Sequence, residues 1–238
     1  MILHYLRRLA LVLAIVLLIS LPCAAAPAPK NIILLIGDGM GFGQLTAAFH
    51  EYEAKGQSLV LSSMPVAGFS VTRSASSLVT DSAAGATALS SGSRTNNGVI
   101  ALTPDGKQLK TILEIARDMG KSTGLTTTDR ITGATPSGFV AHVKNRGMGE
   151  EIAGQIVASR INIAFGYENR FFVPEDGRKD GRDITVDAKK RGFDVVSSKE
   201  AMDKSNSDRI LGLFKTLPTL EEMTAKAISV LNRNSKGF

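Results

Sequence analysis

From Asn31 to Ile36 the chain reads Asn-Ile-Ile-Leu-Leu-Ile. An unbroken apolar run of this length is the pattern of a strand buried on both faces of a sheet. It stops at Gly37-Asp38-Gly39-Met40-Gly41, and a helix is predicted from about Gly43 to Glu53. Val66 to Val71 alternates as a second strand, and polar residues Thr72 to Thr80 lead onward. Leu109, Ile112, Leu113 and Ala116 recur at helical spacing, ending near Met119-Gly120. Ser122 to Thr127 is predicted as a strand, with a polar loop over Thr128 to Thr135 at its C-terminal end. Helices are predicted at Ser137 to His142 and Glu150 to Ser159, and strands at Asn162 to Phe165, Phe193 to Val196 and Ile210 to Phe214. Thr219-Leu220-Glu221-Glu222 is a capping box, opening a helix with Leu220, Met223, Ala227 and Val230 or Leu231 on its apolar face. This alternation predicts an α/β fold, with a mostly parallel central sheet flanked by helices.

Residues 167–192 are charged and contain glycine, which reads as a surface insertion. Only Asp176, Asp180 and Asp183 cluster there, so the twelve-residue calcium loop is missing. The N-terminus has the pattern of an export signal over residues 1–25. Arg7 and Arg8 precede the apolar stretch Leu9 to Leu21, which is short for a membrane span, and small residues follow at Cys23 to Ala26. Cleavage is expected after Ala25, because a cut after Ala26 would place Pro27 at the scissile bond. Pro22 argues against a lipid anchor on Cys23. The expected address is therefore periplasmic or secreted, with residues 26–238 as the mature chain and no lasting membrane association.

The 238 residues are 43% hydrophobic, enough for a sizeable core. Loss of Arg7 and Arg8 leaves 26 basic residues against 22 acidic ones, a net charge of +4. That charge is spread along the chain, which suits anionic substrates more than any particular partner. Tryptophan is absent and aromatics are few, so a stacking platform for nucleic acid is not expected. The only cysteine leaves with the leader, so the mature chain has no disulfide.

The candidate chemistry starts at Val79-Thr80-Asp81-Ser82-Ala83-Ala84-Gly85-Ala86-Thr87-Ala88. This reads as a loop delivering Ser82 to the first turn of a helix made of small residues, against which another backbone can pack. Unpaired N–H groups and the helix dipole favour an anion there, phosphate above all. Ser82 reads equally well as an ordinary N-cap. Asp38 stands at the end of the first apolar run, where open α/β sheets hold ligands. A dinucleotide loop does not fit, because the third glycine position holds Phe42 and a carboxylate would repel a pyrophosphate. A metal ligand is the better reading of Asp38.

The stretches Asn31 to Gly41, Thr80 to Ala88, and Gly133-Ala134-Thr135-Pro136 running on to Ala141-His142 and Arg146 together resemble bacterial alkaline phosphatases. The resemblance runs in order from about Asn31 to the last residue. It implies hydrolysis of phosphate monoesters through a phosphoserine at Ser82, with Zn2+ and Mg2+. It implies that Asp38 bridges a zinc and the magnesium, and that Thr135 ligates the magnesium through its hydroxyl. Taken alone, Thr135 reads more readily as a turn residue before Pro136. Arg146 would clamp two phosphate oxygens, with Asp81 pairing to aim it, although alone it could be a solvated surface arginine. Gly133 departs from the family, which often carries Asp or His there. His142 is implied to be structural. The complete form is implied to be a homodimer.

The histidines are His4, His50 and His142, and no pair has helical ligand spacing. A catalytic zinc usually takes about three protein ligands, histidine commonly among them. The expectation is therefore the N-terminal portion of a catalytic domain, lacking residues to hold both zincs. Two alternatives stay open: a secreted fragment that binds phosphate or metal without catalysis, and a diesterase of the same superfamily.

Overall fold

A strand becomes a sheet member only when neighbours take its N–H and C=O groups, and four segments of this chain meet that condition. The computed structural model describes residues 28–167 and 170–238. The sheet is built from β1 (Gly124–Arg130), β2 (Ile163–Tyr167), β3 (Asp194–Val196) and β4 (Ile210–Phe214). The order is β1-β2-β4-β3 and every pairing is parallel. Ala164 lies opposite both Leu125 and Leu211, while Ile163 lies opposite Gly124 and Ile210.

Alternate residues of these strands feed two cores, as a period of two requires. Ala164, Leu211 and Leu213 face one side. They pack with Ile152, Ile156 and Val157 of α5 (Gly149–Ala158) and Ala188 of α6 (Ile184–Lys190). Ile163, Phe165, Ile210 and Phe214 face the other side. They pack with Met202 of α7 (Lys199–Lys204) and with Met223, Ala227, Val230 and Leu231 of α8 (Leu220–Leu231). The capping box at Thr219 forms: its hydroxyl accepts from the Glu222 N–H, and Glu222 accepts from the Thr219 N–H at 2.9 Å. The remaining helices are α1 (Phe42–Ala54), α2 (Ser82–Ser91), α3 (Ile112–Asp118) and the single turn α4 (Ala134–Ser137).

Three expectations need correction. Neither Asn31–Ile36 nor Val66–Val71 forms a strand. Among the described residues no strand pairs with either, and Leu35, Val66 and Phe69 are exposed. Apolar content supplied the pattern, but a ladder partner is needed to realise it. The charged segment 167–192 is not only surface: Phe172, Ile184 and Ala188 are buried in the core. Arg178 is buried with them, donating through Nη1 to the carbonyls of Phe171 at 2.8 Å and Glu150 at 3.2 Å, while its guanidinium pairs with Asp180. Third, the turn α4 comes before the helix expected at Ser137 to His142, and β1 runs on to Arg130, so the loop after it is shorter than expected.

By contacts the chain divides into residues 1–32 and 33–238. Of the first unit only residues 28–32 are described, and they hold no helix or strand. The proposed leader, residues 1–25, lies outside the described residues. Among the described residues, no helix is long and apolar enough to cross a membrane.

Candidate active site

The site forms where α2 and α4 meet the loop after Ile36. Small residues make this meeting possible. Ala83, Ala84 and Ala86 of α2 are buried, and Gly138 packs on Ala86 so closely that an added Cβ would lie 2.7 Å from the Ala86 Cβ. Ser90 Oγ donates to the Gly138 carbonyl at 2.6 Å, and the Ala101 N–H donates to Thr87 Oγ1 at 2.9 Å. The first bond fixes α2 against the segment that follows Thr135, and the second fixes it against the segment around Ala101.

Asp81, not Ser82, caps α2. Its Oδ1 accepts the Ala84 N–H at 2.9 Å. The ordinary-cap reading of Ser82 is thereby removed. Ser82 is the first helical residue, and its hydroxyl turns elsewhere: Oγ donates to Asp38 Oδ1 at 3.1 Å. The other oxygen, Asp38 Oδ2, accepts from Thr135 Oγ1 at 2.7 Å. One carboxylate thus joins residues 44 and 97 positions away along the chain. Asp38 is exposed, while Ser82 and Thr135 are half-buried.

Arg146 enters from the other side. Its N–H donates to the Gly98 carbonyl at 2.7 Å, and its Nη1 donates to Asp81 Oδ2 at 3.3 Å. The same Oδ2 accepts the Gly98 N–H at 2.9 Å. Asn97 completes the frame: its Oδ1 accepts the Asp81 N–H at 3.1 Å, and its Nδ2 donates to the Val79 carbonyl at 2.8 Å. Sequence reading saw Asn97-Gly98 only as a turn. The turn signal was legible, but its use as the frame for Asp81 required the fold.

His142 stands apart from this cluster. Its Nδ1 lies 2.9 Å from the Ala101 carbonyl and its Nε2 lies 3.2 Å from Glu114 Oε1. Burial acts to raise the Glu114 carboxyl. Bonds from the Thr111 N–H and His142, with the charges of His142 and Arg117, outweigh it and hold the carboxyl below its usual range. His50 is on exposed α1, 4.0 Å from Glu53. Among the described residues no three His, Cys, Asp or Glu side chains form a metal-holding group.

The parallel sheet flanked by helices, with Ser82, Asp38, Thr135 and the Asp81–Arg146 pair gathered at the start of α2, defines an α/β protein with its polar cluster at a helix N-terminus. The alkaline phosphatase family profile matches residues 29–238, and the chain belongs to that family. It is 34% identical to alkaline phosphatase 4 of Bacillus subtilis over 234 residues, covering 88% of this chain and 50% of the relative. It is 35% identical to the streptomycin-6-phosphate phosphatase of Streptomyces griseus, covering 84% and 52%. Thermus thermophilus alkaline phosphatase superposes with a TM-score of 0.82 at 32% identity, over 88% of this chain and 48% of that one. The enzyme from the Antarctic bacterium TAB5 superposes at 0.77, and a variant of it is recorded with magnesium bound. The chain spans about half the length of the relatives it matches.

Proposed function

We propose that this chain carries the phosphoryl-accepting part of an alkaline phosphatase acting on phosphate monoesters. The observation that carries the reading is the Ser82–Asp38–Thr135 junction beside the Arg146–Asp81 pair. Ser82 Oγ is the nucleophile. As its bond to phosphorus forms, the bond to the ester oxygen breaks, and the Ser82 proton passes by way of Asp38 Oδ1, to which Ser82 donates, to the leaving oxygen, which departs as the alcohol. Water then attacks the phosphoserine, the phosphorus–Oγ bond breaks, a proton of that water returns to Ser82 Oγ, and inorganic phosphate is released. Arg146 holds two non-bridging oxygens of the phosphate. Asp81 engages only its Nη1, which leaves donors of the guanidinium facing outward. In the first turn of α2 the Ala84 N–H is taken by Asp81 and Ala83 is buried, so the helix adds to the anion site through its dipole.

The donor set fits magnesium and does not fit zinc. Asp38 and Thr135 offer hard oxygens, and magnesium is commonly bound through one or two carboxylates with retained waters. Bound there, it would hold negative charge close to the reacting phosphate. For zinc, His142 is engaged by Ala101 and Glu114, and His50 sits on a separate exposed helix. A helix N-terminus contributes at most ~2 kcal/mol, roughly thirtyfold in rate, while enzymes accelerate phosphate monoester hydrolysis by up to ~10²¹-fold. Ser82 with its helix and Arg146 therefore falls far short of full catalysis. A second reading, favoured by the lack of a metal-holding group of three His, Cys, Asp or Glu side chains among the described residues, is that this portion binds phosphate and magnesium with feeble turnover.

Assay of residues 26–238 with zinc and magnesium on a chromogenic monoester and a diester separates these readings. Slow, Ser82-dependent monoester turnover is expected, at least about a hundredfold below a full-length relative, as the magnitudes above imply. Preference for the diester would refute the monoesterase reading. Zinc retained at catalytic stoichiometry in elemental analysis would refute the donor inventory. Export rests on the leader alone, and N-terminal sequencing of secreted protein should begin at or near Ala26. A retained Met1 would contradict it.

A further inference from the structure

The chain leading to Arg146 lies beside residues 98–101 as a short antiparallel bridge. Ile100 and Val143 exchange both backbone bonds, at 3.0 and 3.1 Å, and the Arg146 N–H donates to the Gly98 carbonyl at 2.7 Å. In such a pairing the backbone groups of successive residues point to opposite edges, so those of His142 face away from Ile100. Among the described residues no strand lies on that edge. Gln155 of α5 takes its place. Its Oε1 accepts the His142 N–H at 2.8 Å, and its Nε2 donates to the His142 carbonyl at 3.1 Å. A carboxamide carries the donor and acceptor of a peptide group, so one side chain does here what a neighbouring strand would do. Gln155 is half-buried, and its Nε2 also donates to Glu151 Oε1 at 3.3 Å, one turn earlier on the helix.

We propose that Gln155 is a positioning residue for Arg146, and through it for phosphate binding. The inference rests on the reading of Arg146 as the phosphate clamp. The Arg146 side chain is nearly half exposed and bonds Asp81 at 3.3 Å, so its position is set largely by the backbone that carries it. That backbone is held on one edge by Gly98 and Ile100. Gly98 is tied in turn to Asp81 at 2.9 Å, and Ala101 to Thr87 of α2 at 2.9 Å. The other edge is held by Gln155, four residues before the arginine is reached. Ile152, Ile156 and Val157 bury α5 in the core, so Gln155 refers the clamp to the packed interior and not to the surface.

The test is a double-mutant cycle on the full chain, read by calorimetric titration with inorganic phosphate. Gln155→Met keeps the length of the side chain and removes both bonds to His142. It should weaken phosphate binding by about threefold to tenfold in the parent, a coupling ordinary within one hydrogen-bond network. In an Arg146→Ala background the same change should alter binding by less than about twofold, because the group it positions is gone. Hydrogen exchange read by mass spectrometry should quicken over residues 139–148 and stay parental over β2. Unchanged affinity in Gln155→Met would overturn the proposal, and so would an equal loss in both backgrounds. Exchange that quickens equally over β2 would mark a general loss of fold and also contradict a positioning role. If the parent binds no phosphate, or Arg146→Ala binds it as the parent does, the clamp reading falls and the proposal with it.

Discussion

Arg146 and Asp81 lie 65 residues apart and meet through a single hydrogen bond of 3.3 Å, Nη1 to Oδ2. The carboxylate that holds the arginine also caps the helix carrying Ser82 and ties down Gly98. The proposed anion clamp and the proposed nucleophile are therefore set by one side chain.

Asp81→Ala should lower stability by about 1–2 kcal/mol, because a helix cap and a half-buried acceptor for the Gly98 N–H are lost together. Chemical denaturation measures this. A loss below a few tenths of a kcal/mol would show that the Ala84 and Gly98 bonds matter little. Arg146→Ala should keep parental stability, since the side chain is nearly half exposed, and weaken phosphate binding in calorimetry by about tenfold or more.

Gly138→Ala tests the packing that brings Thr135 to Ser82. The added methyl would sit 2.7 Å from Ala86 Cβ and 3.2 Å from its carbonyl carbon, with little space to yield. Overpacking of this kind costs about 1–3 kcal/mol. A fall in melting temperature is expected, with a further loss of Mg2+ affinity as Thr135 is displaced. An unchanged melting temperature would contradict the close approach.

Glu114 makes a pH-dependent contribution. Its folded carboxyl is held below the unfolded value, so its stabilising effect is present above the ordinary glutamate range and disappears as pH falls through the lower folded value. Glu114→Gln should therefore be less stable than the parent at neutral pH, with the gap closing in acid. A gap that widens in acid would reverse the sign and refute the account of the His142–Glu114 pair.

The sheet was legible because Ile163 to Phe165 and Ile210 to Phe214 carry their own pattern and find partners within the chain. The Thr219 capping box was legible for the same local reason. Ile33 to Ile36 misled because an apolar run states a preference for burial and not the identity of the neighbour. Arg178 was hidden within a charged stretch, since burying its guanidinium depends on the Phe171 carbonyl and on the Glu150 carbonyl 28 residues away, which sequence cannot place. At the site, Ser82, Asp38, Thr135 and Arg146 could be picked out by motif. The frame of Asn97 and Gly98 could not, because the bonds to Asp81 and Val79 that use it form only in the fold.

The central claim is that Ser82 accepts a phosphoryl group. The chain and its Ser82→Ala variant should be incubated with a phosphate monoester and magnesium at mildly acidic pH, quenched in strong acid, digested and read by mass spectrometry. The account expects one phosphate on the peptide bearing Ser82, small in amount and absent from the variant. A phosphate that persists in the Ser82→Ala protein, or none at Ser82 under conditions where phosphate binds, would contradict it.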